Sequence, residues 1–128
     1  MNKIKDIVIL SVIYSLLFPL YSQGAEKSLP ETFAYYFYKK GDFLNAIEGY
    51  SKILKESPKN MKIAYNLGCL YVKAGDYTSA IKKFDKVIQS NSPLKKEALY
   101  NLAVIYGKFK SDKKKALVYY NKYKNLKQ

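Results

Sequence analysis

Apolar residues recur along this chain at helical spacing, in paired blocks separated by a Gly-Asp-aromatic step. Ala64, Leu67, Leu70 and Tyr71 form one block; after Gly75-Asp76-Tyr77, a second contains Ala80, Ile81, Phe84, Val87 and Ile88. Steps of three and four place each set on one face of an α-helix. The step between them predicts a tight reversal, with Gly75 as a left-handed stop and Asp76 as the cap of the next helix. Gly68 and Ala80 are small where two antiparallel helices must approach, and Tyr71 and Phe84 are large where the space between them must be filled.

The pattern occurs once upstream and once downstream. Ser28-Leu29-Pro30-Glu31 has the form of a capping box and predicts a helix start. That helix runs through Phe33, Ala34 and Phe37 to Gly41-Asp42-Phe43, and a second carries Ala46, Ile47, Tyr50, Ile53 and Leu54 before Pro58. Phe33 stands at the position of Leu67, Ala34 at Gly68, Phe37 at Tyr71, Ala46 at Ala80 and Tyr50 at Phe84. Downstream, Ala98 to Tyr106 repeats Ala64 to Tyr71, and the following helix carries Ala116, Leu117, Tyr120 and Tyr123. The turn between them, Gly107 to Asp112, is one residue longer, and Ser111 replaces the glycine. A serine in a left-handed conformation is strained, so the path is expected to differ here and the extra residue to bulge outward.

Leu67, Gly68, Tyr71, Gly75-Asp76-Tyr77, Ala80, Phe84 and Pro93, with 34 residues from Asp42 to Asp76, resemble the tetratricopeptide repeat (TPR). Three units in phase cover residues 27–60, 61–95 and 96–128, the last with a divergent turn. The resemblance implies an all-α fold: a right-handed TPR superhelix of three antiparallel helix pairs, an α-solenoid. It also implies a concave groove, lined by the first helix of each pair, that holds a peptide or helix of a partner. By position, the groove candidates are Tyr35, Tyr38, Tyr65, Asn66, Cys69, Tyr100, Asn101 and Val104, with Glu31, Val72 and Glu97 beside them. The amides of Asn66 and Asn101 can donate to and accept from a peptide backbone, and tyrosines add apolar area with a polar tip. TPR proteins that clamp a chaperone's C-terminal carboxylate carry lysine, asparagine and arginine where this chain has Glu31, Tyr35, Asn66, Glu97 and Asn101. Only Asn66 matches, so that clamp is not expected.

Residues 1–24 read as a secretory signal preceding the repeats. Lys3 and Lys5 are followed by an apolar run from Ile7 to Leu20, and Ser22-Gln23-Gly24 is a small-x-small site. Cleavage is expected after Gly24; an uncleaved hydrophobic anchor is the competing reading. Either places the repeats outside the cytoplasm, in the periplasm or medium.

Composition removes most catalytic chemistry. With one cysteine and no histidine or tryptophan, the chain offers no intramolecular disulfide, no two-cysteine zinc site and no histidine base, so no metal, cofactor or enzymatic activity is expected. Cys69 reads as a small filler. All 23 basic residues are lysine, against 10 acidic ones, for a formal charge of +13. Without arginine's planar fork the charge favours diffuse attraction over bidentate recognition, and nucleic acid is not an expected partner. A coding bias toward lysine accounts for the composition equally well. Lys39, Lys73 and Lys108 recur at one edge of the first helices. From Lys95 onward ten lysines face only Glu97 and Asp112, and Lys108, Lys110, Lys113, Lys114 and Lys115 form a candidate basic patch for an anionic membrane or wall polymer. After the third pair no polar-faced capping helix is evident, so Tyr119, Tyr120, Tyr123 and Leu126 are expected to leave apolar area for self-association or a partner.

Overall fold

The computed structural model describes residues 29–126. The signal segment at 1–24 and Ser28 of the capping box lie outside the described residues. Among the described residues six α-helices follow one another: α1 (Leu29–Lys40), α2 (Phe43–Glu56), α3 (Met61–Lys73), α4 (Tyr77–Ile88), α5 (Lys95–Val104) and α6 (Lys113–Asn125). Among the described residues there is no strand, and no helix is long and apolar enough to cross a membrane.

The helix starts follow from short polar side chains. Asp42, Asp76 and Asp112 accept backbone N–H bonds from Asn45, Ser79 and Lys115 at 3.2, 3.0 and 3.0 Å, each satisfying one donor that a first turn leaves unpaired. Asn60 does the same for α3, accepting from the Ile63 amide at 3.1 Å, a cap the sequence reading missed. Helix α5 starts differently. The Leu94 N–H donates to the Ser92 hydroxyl and the Ser92 N–H to that of Ser90, while the Ser90 hydroxyl donates to the Val87 carbonyl. A relay of two serines thus connects the end of α4 to the start of α5.

The first two reversals are as expected: Gly41 and Gly75 have φ of 76° and 79°. The amides of Asp42 and Asp76 bond back to the Phe37 and Tyr71 carbonyls at 3.0 and 2.9 Å, the closure of a glycine-terminated helix. The third departs in two ways. Ser111 nevertheless takes the left-handed conformation of the glycines it replaces, with φ 52°. The added residue, however, does not loop outward. It is absorbed into the helix as a π-turn, Ile105–Phe109, in which the Lys110 N–H donates to the Ile105 carbonyl at 3.0 Å and the Asp112 N–H to that of Tyr106 at 2.8 Å. The wider turn keeps Ile105 buried and lays the Phe109 ring on Tyr77, with centroids 4.3 Å apart. A π-turn thereby keeps backbone bonds that an outward loop would have exposed to water.

Each helix packs against its neighbours in the chain, giving a single layered array of hairpins. Gly68 lies against Phe84 so closely that a Cβ would sit 2.7 Å from the ring. The first pair has Ala34 at that position, and the missing carbon has moved to the facing helix: a Cβ on Gly49 would stand 2.9 Å from the Ala34 methyl. One carbon of clearance is preserved by either helix, and Gly49 escaped the sequence reading because the exchange shows only across the interface.

The ends of the array overturn two expected core positions. Phe33 occupies the site of the fully buried Leu67, yet it is 65% exposed; Leu117, at the site of Ile81, is 59% exposed. The reason is shared. Helix α3 lies between α2 and α4, whereas α1 and α6 each have a described neighbour on one side only.

Candidate interaction groove

The first helices α1, α3 and α5 line two adjoining clefts. Tyr35 and Tyr38 of α1 face Asn66, Cys69, Leu70 and Lys73 of α3 across a space of about 290 Å³, with Tyr50 at its floor. Residues three and four apart on a helix share a face, which is why the spacing places each set together. A second cleft of about 330 Å³ lies between Tyr65 of α3, Lys96, Glu97, Tyr100 and Asn101 of α5, and Tyr123 of α6. Seven of the eight groove candidates are therefore brought together, four in the first cleft and three in the second. Val104 is the exception; it is exposed but lines neither cleft.

The two asparagines differ in a way their matching positions conceal. The Asn101 amide donates to the Tyr65 hydroxyl at 3.1 Å and lies 4.0 Å from the Cys69 sulfur. Tyr65 in turn sets its ring edge-on to Phe84, with centroids 5.6 Å apart. Asn101 is thus a cross-repeat tie, with part of its hydrogen-bonding capacity used internally, and both members of the Tyr65–Asn101 pair line the second cleft. Asn66 makes no such tie among the described residues and lines the first cleft.

The electrostatics favour neutral hydrogen-bonding groups over charged chemistry. Burial pushes the Cys69 thiol up from its usual range, with Tyr65 and Lys73 offsetting only part of the shift, so the sulfur stays a protonated, weak nucleophile at neutral pH. Burial likewise raises the hydroxyls of Tyr50 and Tyr65, leaving them as donors and acceptors. Lysines supply the cationic rim: Lys73 sits 5.9 Å from both the Tyr38 and Phe43 ring centres, and Lys96 lies 5.6 Å from that of Tyr123. Among the described residues no group of three or more histidine, cysteine, aspartate or glutamate side chains could hold a metal ion.

Sequence reasoning placed Lys73 on an edge and missed it as a cleft residue, although it stands four residues beyond Cys69 on the same face. Tyr123 was missed for a different reason, since it reaches the groove from a second helix.

The basic patch lies elsewhere. Lys108, Lys110, Lys113, Lys114 and Lys115 are all exposed and surround the π-turn and the start of α6, away from both clefts. Lys108 covers the Phe109 ring; Lys115 covers Tyr106 at 5.1 Å and pairs loosely with Asp112 at 3.8 Å. Three lysines in a first turn oppose the helix dipole, a cost that an approaching anion would relieve.

The family model of the tetratricopeptide repeat matches residues 65–123, from the second turn of α3 to the last turn of α6. The match supports a TPR protein, consistent with the paired helices and glycine reversals. No curated protein matches the chain.

Proposed function

We propose that the chain is a non-enzymatic interaction module, exported to the periplasm or medium as a scaffold or assembly factor. Its helix pairs wind as a right-handed superhelix and hold a peptide or helix of a partner protein across α1, α3 and α5. Tetratricopeptide repeats generally mediate protein–protein interaction. The observation that carries the reading here is the pair of tyrosine-walled clefts on successive first helices, with the Asn66 amide presented in one of them. Neutral hydroxyls and an amide suit a peptide backbone, and aromatic walls suit apolar side chains. The basic rim adds a preference for acidic segments.

Crosslinking in intact cells tests this, with Asn66→Ala and the double variant Asn66→Ala/Asn101→Ala beside the native protein. A discrete protein that crosslinks to the native chain and is lost from both variants supports the groove. Unchanged crosslinking in the double variant would rule it out.

A second reading rests on the crowded lysines at the start of α6, which would hold the protein on an anionic membrane or wall polymer. Reversing the charges of Lys113, Lys114 and Lys115 abolishes adsorption under this reading while leaving the groove intact.

A further inference from the structure

The second helix of each pair carries an apolar stripe, and the repeat itself shows what normally covers it. In α2 the stripe is Ile47, Tyr50, Ile53 and Leu54; in α4 it is Ile81, Phe84, Val87 and Ile88. Both lie against the first helix of the following pair, α3 and α5, and Tyr50 and Phe84 retain 5% and 0% exposure. In α6 the same positions are Leu117, Tyr120, Tyr123 and Lys124. Leu117 and Tyr120 are 59% and 44% exposed, and the adjoining Val118 is exposed too.

The covering helices also define the shape of an occupant. Helix α3 buries Ile63, Ala64, Leu67, Gly68 and Leu70; α5 and its π-turn bury Ala98, Leu99, Leu102, Ala103 and Ile105. These are the same five positions shifted by 35 residues: apolar at i, i+1, i+4 and i+7, and small at i+5. Charge then selects among helices of that shape. Every charged residue of α6 is a lysine, and Lys124, at the site of Ile88, lies over the Tyr120 ring. A second copy of this chain, itself strongly basic, would be repelled.

We infer that the face of Leu117 and Tyr120 is a docking site, separate from the groove, for an acidic amphipathic helix of another protein that stacks on α6 as α5 stacks on α4. Its apolar residues cover the stripe and its carboxylates meet Lys124, which lies over the Tyr120 ring.

The test uses a fluorescent peptide on the order of 18 residues, long enough for several turns. It carries alanine and leucine at the defined offsets and glutamate on its outer face; a scrambled peptide of equal composition is the control. Fluorescence anisotropy should show binding of the patterned peptide and at least about tenfold weaker binding of the scramble. Leu117→Asp should weaken the patterned peptide by about tenfold, the scale expected when one large apolar side chain no longer enters the interface. Asn66→Ala should leave it unchanged, which separates this site from the groove. Lys124→Glu should also weaken it, with circular dichroism confirming an intact fold. Equal binding of both peptides would reduce the effect to bulk charge and overturn the proposal. So would a concentration-dependent dimer abolished by Leu117→Asp, or anionic phosphatidylglycerol vesicles displacing the patterned peptide while Leu117→Asp binds them no more weakly.

Discussion

The second and third helix pairs share a pattern almost residue for residue, yet α4 buries Ala80, Phe84 and Val87 while α6 buries no residue at all. Phe84 is enclosed on three sides: by Gly68, by the Tyr65 ring, and by α5 lying over α4. Tyr120 has the same place in its helix and remains exposed. What holds α6 instead is a set of aromatic pairs toward α5, with Tyr119 stacked on Tyr106 and Tyr123 tilted against Tyr100, both at 5.4 Å between centroids. This also revises the expectation for the end of the array. Tyr119 is half-buried in its stack, and the apolar area left open belongs to Leu117, Val118 and Tyr120. A repeat's contribution to stability therefore depends on its neighbours as much as on its own residues.

The largest expected effect breaks the comparison directly. Phe84→Ala should cost about 3–5 kcal/mol, the range for emptying a packed aromatic site, whereas Tyr120→Ala should change stability by only about 0.5 kcal/mol, as at an open surface. Urea unfolding of the two variants measures both. Equal losses would mean that α6 is covered in solution.

The reversals sharpen the contrast on a smaller scale. Ser111→Gly should stabilise the chain by roughly 1 kcal/mol, because glycine adopts the left-handed conformation without the Cβ clash, and Gly75→Ala should destabilise it by a similar amount. Thermal unfolding of the pair reads opposite shifts. If Ser111→Gly is neutral, the π-turn has already relaxed the strain.

The smallest effect concerns Asp85, which faces α6 from α4. Burial raises its carboxyl pKa, against the lowering influence of Lys122 and of a hydrogen bond from Tyr119. A raised folded pKa means that this group's stabilising contribution is complete below the ordinary aspartate range, about 3.9, and is lost as pH rises through the folded value. Asp85→Asn should therefore compare more favourably with the native chain at pH 7 than at pH 4. Urea midpoints at the two pH values decide it, and the opposite sign would make Lys122 the dominant influence.

Much of the architecture was legible because it is local. Helical spacing, aspartate caps and glycine reversals are properties of a few adjacent residues, and they recovered the helix order and seven of the eight groove candidates as cleft residues. Asn60 was equally local and was overlooked. The Asn101 to Tyr65 tie spans 36 residues, so sequence placed Asn101 in the groove but could not show that its amide is engaged. The patterned face of Leu117 and Tyr120 reads as core by the same rule that correctly buries Phe84 and packs Ile81 against the core.

The sequence by itself determined where most helices begin and end, which faces are apolar, and that the third reversal would depart from the first two, since each depends on steric and hydrogen-bonding demands within one or two helical turns. Only the tertiary structure decided that the longer third turn is absorbed as a π-turn, that Gly49 compensates for Ala34, and that Phe33 and Leu117 face outward. Those outcomes depend on which helix lies alongside, and burial is a property of both surfaces that meet.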